Sequence, residues 1–270
     1  MNIWVGYDTR EHWAFKVCDY SIRKYRPDAI VKPIEQRNTR LLGLYDRPID
    51  ENASTEFSLT RFLTPALSNF KGWSLYCDCD FLFLNDVKKL FDLADPKYAA
   101  MVVKHDYKPK SNTKMDGQIQ FPYPRKNWSS LILFNNEHPS HKFLDVNGMT
   151  PAELHQFDWI ADKDLGELPK RWNWLVGYCT DEDLWSDIPA ALHYTDGGPW
   201  FEGYEETQYS YQYNKNFETN KDFDKDKIKT TNVNILLNRV RLNKKKQIKK
   251  KIILTVFIFI IPSLIVMAVF

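Results

Sequence analysis

The stretch "SLYCDCDFLFLND", residues 74–86, places Asp78 and Asp80 one residue apart at the end of an apolar run, with Asp86 after a second apolar run. A period of two puts Asp78 and Asp80 on one side of an extended segment. Two carboxylates so placed repel, and a low-dielectric setting sharpens the repulsion. A divalent cation that favours hard oxygen ligands, Mn²⁺ or Mg²⁺, would offset them. On these residues alone a solvated turn at a strand end is the alternative. The apolar segments on both sides favour the metal.

The 270-residue chain is 43% hydrophobic and 15% aromatic, enough for one sizeable core. A net charge of +2 gives no argument for a nucleic-acid partner. Cys18, Cys77, Cys79 and Cys179 form no regular framework, and "MNIWVGYDTR" lacks the pattern of a signal peptide. The expectation is reduced thiols in a cytosolic main body. Cys77 and Cys79 have no second cysteine pair to complete a structural zinc site, so they read as core residues.

Three regions follow from composition: a globular domain over residues 1–213, a polar lysine-rich linker over 214–251, and an uncharged apolar tail over 252–270. In the first, "NIWVGY", "AIVKPI", "WSLYC", "YAAMVVKH" and "SSLILFN" read as strands. "EHWAFKVCDYSIRKY" has helical apolar spacing at Trp13, Val17, Tyr20 and Ile22, and Pro27 ends it. Ser54 or Thr55 is placed to cap a helix through "STEFSLTRFLTPAL". Strands alternating with helices predict an α/β fold with a mostly parallel sheet covered on both faces. Ligands bind beyond the carboxyl ends of such strands, where Asp8 and Asp78 both fall.

"TRFLTPALSNFKGWSLYCDCDFLFLNDVKKLF" resembles the central stretch of family 8 glycosyltransferases, with Arg61, Pro65, Asp78, Asp80, Asp86 and Leu90 at the pattern positions. "LPKRWNWLVGY" and "LHYTDGGPWF" resemble two later landmarks of that family. "STEFS", "VKHD", "KNWSS", "GELP" and "GGPW" resemble a bacterial branch of the superfamily, and the resemblance spans about residues 2–205. It implies a GT-A fold with a Rossmann-like sheet. It implies a hexosyltransferase-type enzyme that retains anomeric configuration and uses a nucleotide-diphosphate sugar, usually UDP-linked, with Mn²⁺. Asp78 and Asp80 match the metal-binding Asp-x-Asp and His193 the metal-ligand histidine; imidazole is a sound third ligand. Arg61 matches a position near the donor phosphates and sugar. Tyr7, Asp8 and Thr9 match the loop against the base and ribose, with a cap for the helix beginning near Glu11 as the alternative for Asp8.

Two departures stand out. The family's diphosphate-binding lysine before Pro-Trp is Gly198 here, so that charge is either absent or supplied by Lys104, Lys114, Arg125 or Lys126, or backbone N–H groups of Gly197 and Gly198 approach the phosphate instead. Trp128 replaces an asparagine that shapes the sugar site, so the sugar is not carried over. Asp158 lies near an acceptor-side segment, and Trp200 is the best candidate to stack on a sugar, though core packing is the commoner use of such rings. Two other functions fit less of the sequence: a non-catalytic, membrane-tethered sugar- or nucleotide-binding domain, and a haloacid-dehalogenase-type phosphatase.

Residues 252–270 contain no charge, and as a helix they would span about 28 Å, close to the roughly 30 Å hydrocarbon core. Six of the eight residues 244–251 are lysine, a flank that stays on the cytoplasmic side and attracts anionic headgroups. The expectation is a tail-anchored, membrane-associated protein with its catalytic domain in the cytoplasm and a glycan or lipid-linked acceptor.

Overall fold

Alternation along three strands sets the layers. In β1 (Asn2–Gly6) Ile3 and Val5 face one core while Trp4 faces the other. β3 (Trp73–Cys77) divides Leu75 and Cys77 from Tyr76, and β6 (Leu131–Asn135) divides Leu131 and Leu133 from Ile132 and Phe134. The period of two thus feeds both faces of one sheet. The computed structural model describes residues 1–50, 53–107, 124–179 and 181–223.

The sheet has six strands in the order β2-β1-β3-β6-β5-β7, where β2 is Ile30–Ile34, β5 is Ala100–Val102 and β7 is Leu165–Glu167. β6 runs antiparallel to both its neighbours, and every other pairing is parallel. Pro33 fits because β2 lies at the sheet edge, where a missing N–H costs no ladder bond.

On one face lies α1 (His12–Tyr25), which buries Ala14, Val17, Cys18, Ser21 and Ile22 at spacings of three and four. The other face is covered by a 3₁₀ turn (Thr60–Leu63) running into α3 (Thr64–Leu67), and by α5 (Pro151–Gln156). Thr150 and Glu153 form a reciprocal capping box at the start of α5. Short helices α2 (Gln36–Leu41), α4 (Lys88–Phe91) and α6 (Asp181–Ser186) join the remaining strands. This is the expected α/β architecture with helices on both faces.

A second, three-stranded sheet in the order β4-β9-β8 was not foreseen; it joins β4 (Phe81–Phe83), β9 (Ala191–His193) and β8 (Trp174–Leu175). Three local expectations also need correction. Trp13 is 45% exposed and meets Phe217 edge-on, so the buried stripe of α1 starts at Ala14. The helix expected from Ser54 starts only at Thr60; Thr55 and Ser58 hydroxyls lie 3.1 Å apart within a preceding turn. α7 (Ser210–Phe223) continues past residue 213 and packs on α1, where Asn220 donates to the Lys16 carbonyl. The four cysteines are free, and Cys77 and Cys79 are buried in the core as expected.

Among the described residues no helix is long and apolar enough to cross a membrane. The linker beyond 223 and the apolar run 252–270 lie outside the described residues.

Leu133 sits at the centre of β6 with no exposed surface. Leu133→Ala should lower unfolding free energy by about 2–5 kcal/mol in urea titrations. A loss below about 1 kcal/mol would show that this position is not closely packed.

Candidate active site

Asp78 leaves the carboxyl end of β3 and is held there before any ligand arrives. Its N–H donates to the Ser130 carbonyl at 2.9 Å, and the Tyr76 hydroxyl donates to its Oδ1 at 2.7 Å. Arg61 Nη1 lies 3.1 and 3.3 Å from the two carboxylate oxygens and donates to the Ser129 carbonyl at 3.0 Å. Burial pushes the Asp78 carboxyl up to about 6; Arg61 pulls against that shift and Asp80 adds to it. His155, 2.8 Å from Ser129 Oγ, is held at about 3 by burial and by Arg61, so it stays neutral beside the guanidinium.

The β4–β9 pairing delivers the third side chain. Phe81 lies opposite His193 in antiparallel register, so the histidine sits beside Asp80. The His193 ring stacks on Phe81 with centroids 4.5 Å apart, and its Nε2 is 3.4 Å from Asp80 Oδ2. Asn173 Nδ2 donates to Ser130 Oγ at 2.9 Å and to the Asn127 carbonyl at 3.1 Å. That fixes Asn173 Oδ1 as the acceptor 2.9 Å from His193 Nδ1. The network therefore places a proton on Nδ1 and turns Nε2 toward Asp80. Asp78, Asp80 and His193 each offer an atom within 4.8 Å of the others. Two carboxylate oxygens and an oriented imidazole fit a divalent cation.

No protein-family model matches the chain. It is 48% identical over 215 residues to Protein CDI of Arabidopsis thaliana, covering 77% of this chain and 83% of that protein. The chain belongs to the Protein CDI family. This family member is also 27% identical over 148 residues to General stress protein A of Bacillus subtilis (strain 168), covering 48% of this chain and 50% of that protein. Among solved structures, galactosyltransferase LgtC, in complex with donor and acceptor sugar analogs, superposes with a TM-score of 0.53 at 13% identity, covering 81% of this chain and 96% of that one. The glycosyltransferase GlyE of Streptococcus pneumoniae TIGR4 gives 0.52 at 12% identity, covering 90% of this chain and 63% of that one. This Protein CDI relative has the GT-A fold.

The other expected site residues have structural occupations of their own. Asp8 is fully buried and caps the turn at Thr9–Glu11: its oxygens accept from Arg10 N, Nε and Nη2 at 2.9, 3.0 and 2.8 Å and from Glu56 N at 3.0 Å. Burial alone would raise its carboxyl; the Arg10 and Glu56 hydrogen bonds outweigh it and hold it below the usual range. Tyr7 OH meets His12 Nδ1 at 3.0 Å, and Thr9 N donates to Glu56 Oε1 at 3.2 Å. Gly197 has φ +121°, and its N–H closes a turn onto the Tyr194 carbonyl at 2.8 Å. At Gly198 a Cβ would lie 2.0 Å from the Trp200 ring. That ring packs on Tyr194 and Tyr213, so both glycines and the tryptophan build the aromatic floor under this loop.

Of the candidate phosphate cations, Arg125 pairs with Asp162 at 2.6 Å, Lys104 donates to the Leu165 carbonyl at 3.0 Å, and Lys126 lies over the Tyr107 ring. Lys114 lies outside the described residues. Trp128 donates to the His105 carbonyl at 2.9 Å, and Asp158 is exposed. Tyr76, Ser130 and Asn173 carry no sequence signal for a role at this site. Asn173 stands in "RWN", a segment noted for its resemblance, but only the fold shows which ring it orients.

Arg61→Met should lower unfolding free energy by about 3–5 kcal/mol, because it strands a buried carboxylate. Denaturant titration tests this, and a loss under about 1 kcal/mol would show that Asp78 does not depend on the guanidinium. Asp8 has a depressed folded pKa, so its stabilisation is present above the unfolded value of about 3.9 and is lost as pH falls through the lower folded value. The stability gap between the native chain and Asp8→Asn should be full at neutral pH and shrink below about pH 4. A gap that grows on acidification would contradict the clamp.

Proposed function

We propose that this chain is a metal-dependent, family 8-like glycosyltransferase that moves a sugar from a nucleoside-diphosphate donor, UDP-linked, to a glycan or lipid-linked acceptor with retention of configuration. The observation that carries this is the convergence of Asp78, Asp80 and the sequence-distant His193 at the carboxyl end of β3, on a GT-A fold. Asp78, Asp80 and the Nε2 of His193 would hold Mn²⁺ or Mg²⁺, which when bound would offset negative charge on the departing diphosphate. Arg61 and Tyr76 keep Asp78 aimed into the site, and Asn173 orients the His193 ring with Nε2 turned there. The Tyr7–Thr9 loop beyond β1 borders the same sheet end and is the side on which the nucleoside would lie. Arg61 would then act on the donor phosphates chiefly through the carboxylate it positions. The LgtC complex, with its donor and acceptor sugar analogs, supports two substrate positions on this fold.

Asp80→Ala should abolish Mn²⁺-dependent release of UDP from UDP-glucose or UDP-galactose, with His193→Ala milder. Asn173→Leu should weaken Mn²⁺ binding about 10–100-fold in calorimetric titration. Full activity of Asp80→Ala in metal-free buffer would sink the metal reading.

The lysine cluster and apolar run suggest that residues 252–270 anchor the chain in a membrane with the catalytic domain in the cytoplasm. The full chain should stay with membranes in alkaline carbonate, while a chain ending at Asn243 should be released. Full-length protein that washes off with high salt would refute the anchor.

A further inference from the structure

A cavity of about 480 Å³ opens beyond the carboxyl ends of β5 and β7. The sheet order places it across β6 from β3, whereas the Tyr7–Thr9 loop follows β1 on the other side of β3. It borders the candidate metal site: His105 lines the cavity and hydrogen-bonds Asn173, which orients His193. Three separate loops are tied together at its edge. Tyr178 OH donates to Asp196 Oδ2 at 2.6 Å, and Tyr107 OH lies 3.1 Å from Tyr178 OH and 3.4 Å from Asp196 Oδ1.

We infer that this cavity receives the acceptor, that the acceptor is an uncharged carbohydrate, and that Tyr107, Tyr178 and Asp196 determine its selection. This rests on the transferase reading above and adds the acceptor's chemical class. Charge decides the class. Among the described lining residues, Lys104 and Lys170 face an equal number of carboxylates, Asp106 and Glu167. Both lysines are already engaged, Lys104 with the Leu165 carbonyl and Lys170 with Asp183 at 2.6 Å. Among the described residues here, Asp106, Glu167 and Asp196 offset Lys104, Lys170 and Lys126, whose ammonium lies over the Tyr107 ring, so no excess of positive charge favours an acceptor bearing a phosphate or carboxylate. Uncharged sugar hydroxyls, which both donate and accept, match a carboxylate bracketed by two phenols. The Tyr107 and Tyr178 rings, tilted at centroids 4.7 Å apart, add apolar surface for a sugar face. The volume lies within the range of small-ligand clefts, about 300–1,000 Å³, and exceeds what one pyranose ring fills.

Cys179 supplies a reporter. It lines this cavity and is partly exposed, whereas Cys18, Cys77 and Cys79 are buried. The full-length chain is given Mn²⁺ and UDP-glucose or UDP-galactose. UDP release is measured with and without lactose, maltose, glucose 6-phosphate or glucuronic acid, and Cys179 labelling by a methanethiosulfonate reagent is timed in parallel. A neutral disaccharide should slow labelling and raise UDP release, and the two charged sugars should do neither. In Tyr178→Phe and Asp196→Asn the ratio of release with disaccharide to release without should fall at least about five-fold, through a higher apparent KM for the disaccharide. Thermal melts confirm that each variant is folded, and native-like melting with an unchanged ratio in both overturns the inference. Charged sugars that protect Cys179 better than neutral ones also overturn it, as does protection by UDP-sugar but by no saccharide, which would make the cavity the donor's. No Mn²⁺-dependent UDP release by the native chain from either donor defeats the transferase reading itself.

Discussion

A carboxylate buried at the end of a central strand must be neutralised or paired, and the rest of the site follows from how Asp78 meets that demand. Arg61 supplies the opposite charge, Tyr76 a hydrogen bond and Ser130 a backbone acceptor. Each partner comes from a different element: a turn beneath one sheet face, the strand itself, and the segment before β6. The carboxylate therefore ties the sheet to its covering layer. Its remaining repulsion with Asp80 is what makes the pocket receptive to a further positive charge.

The small β4-β9-β8 sheet completes the site. β4 leaves directly from the Asp-x-Asp loop and β9 pairs beside it, so the ladder register sets the position of His193 relative to Asp80. A one-residue slip would turn the imidazole to the opposite face. Stacking on Phe81 and the Asn173 bond fix the ring plane and tautomer. The geometry is thus preorganised by packing and hydrogen bonds that need no ligand.

The same economy governs the loops around the cleft. Asp8, Gly197, Gly198 and Trp200 each have a local structural occupation, as a turn cap, a left-handed turn, a close approach and an aromatic floor. They set the shape and rigidity of the loops they build. Tyr107, Tyr178 and Asp196 join three such loops on the far side of the Asp78–Asp80–His193 cluster.

Local pattern was enough to read the strands, the main helix and the Asp78/Asp80 pair, because alternation and helical periodicity are properties of adjacent residues. The α/β class followed from their order. Trp13 was misplaced because its spacing fits a buried stripe equally well; only packing decides which of two adjacent stripes faces the sheet. The sequence could nominate His193 through resemblance, but its approach to Asp80 comes from a pairing between segments more than a hundred residues apart. Asn173, Tyr76 and the Tyr–Tyr–Asp tie were likewise invisible, since no local signal distinguishes a strand tyrosine or loop asparagine that orients a distant side chain. Hydrophobic pattern determines which face of an element is buried; which polar groups then meet depends on register and loop closure, and those exist only in the folded chain.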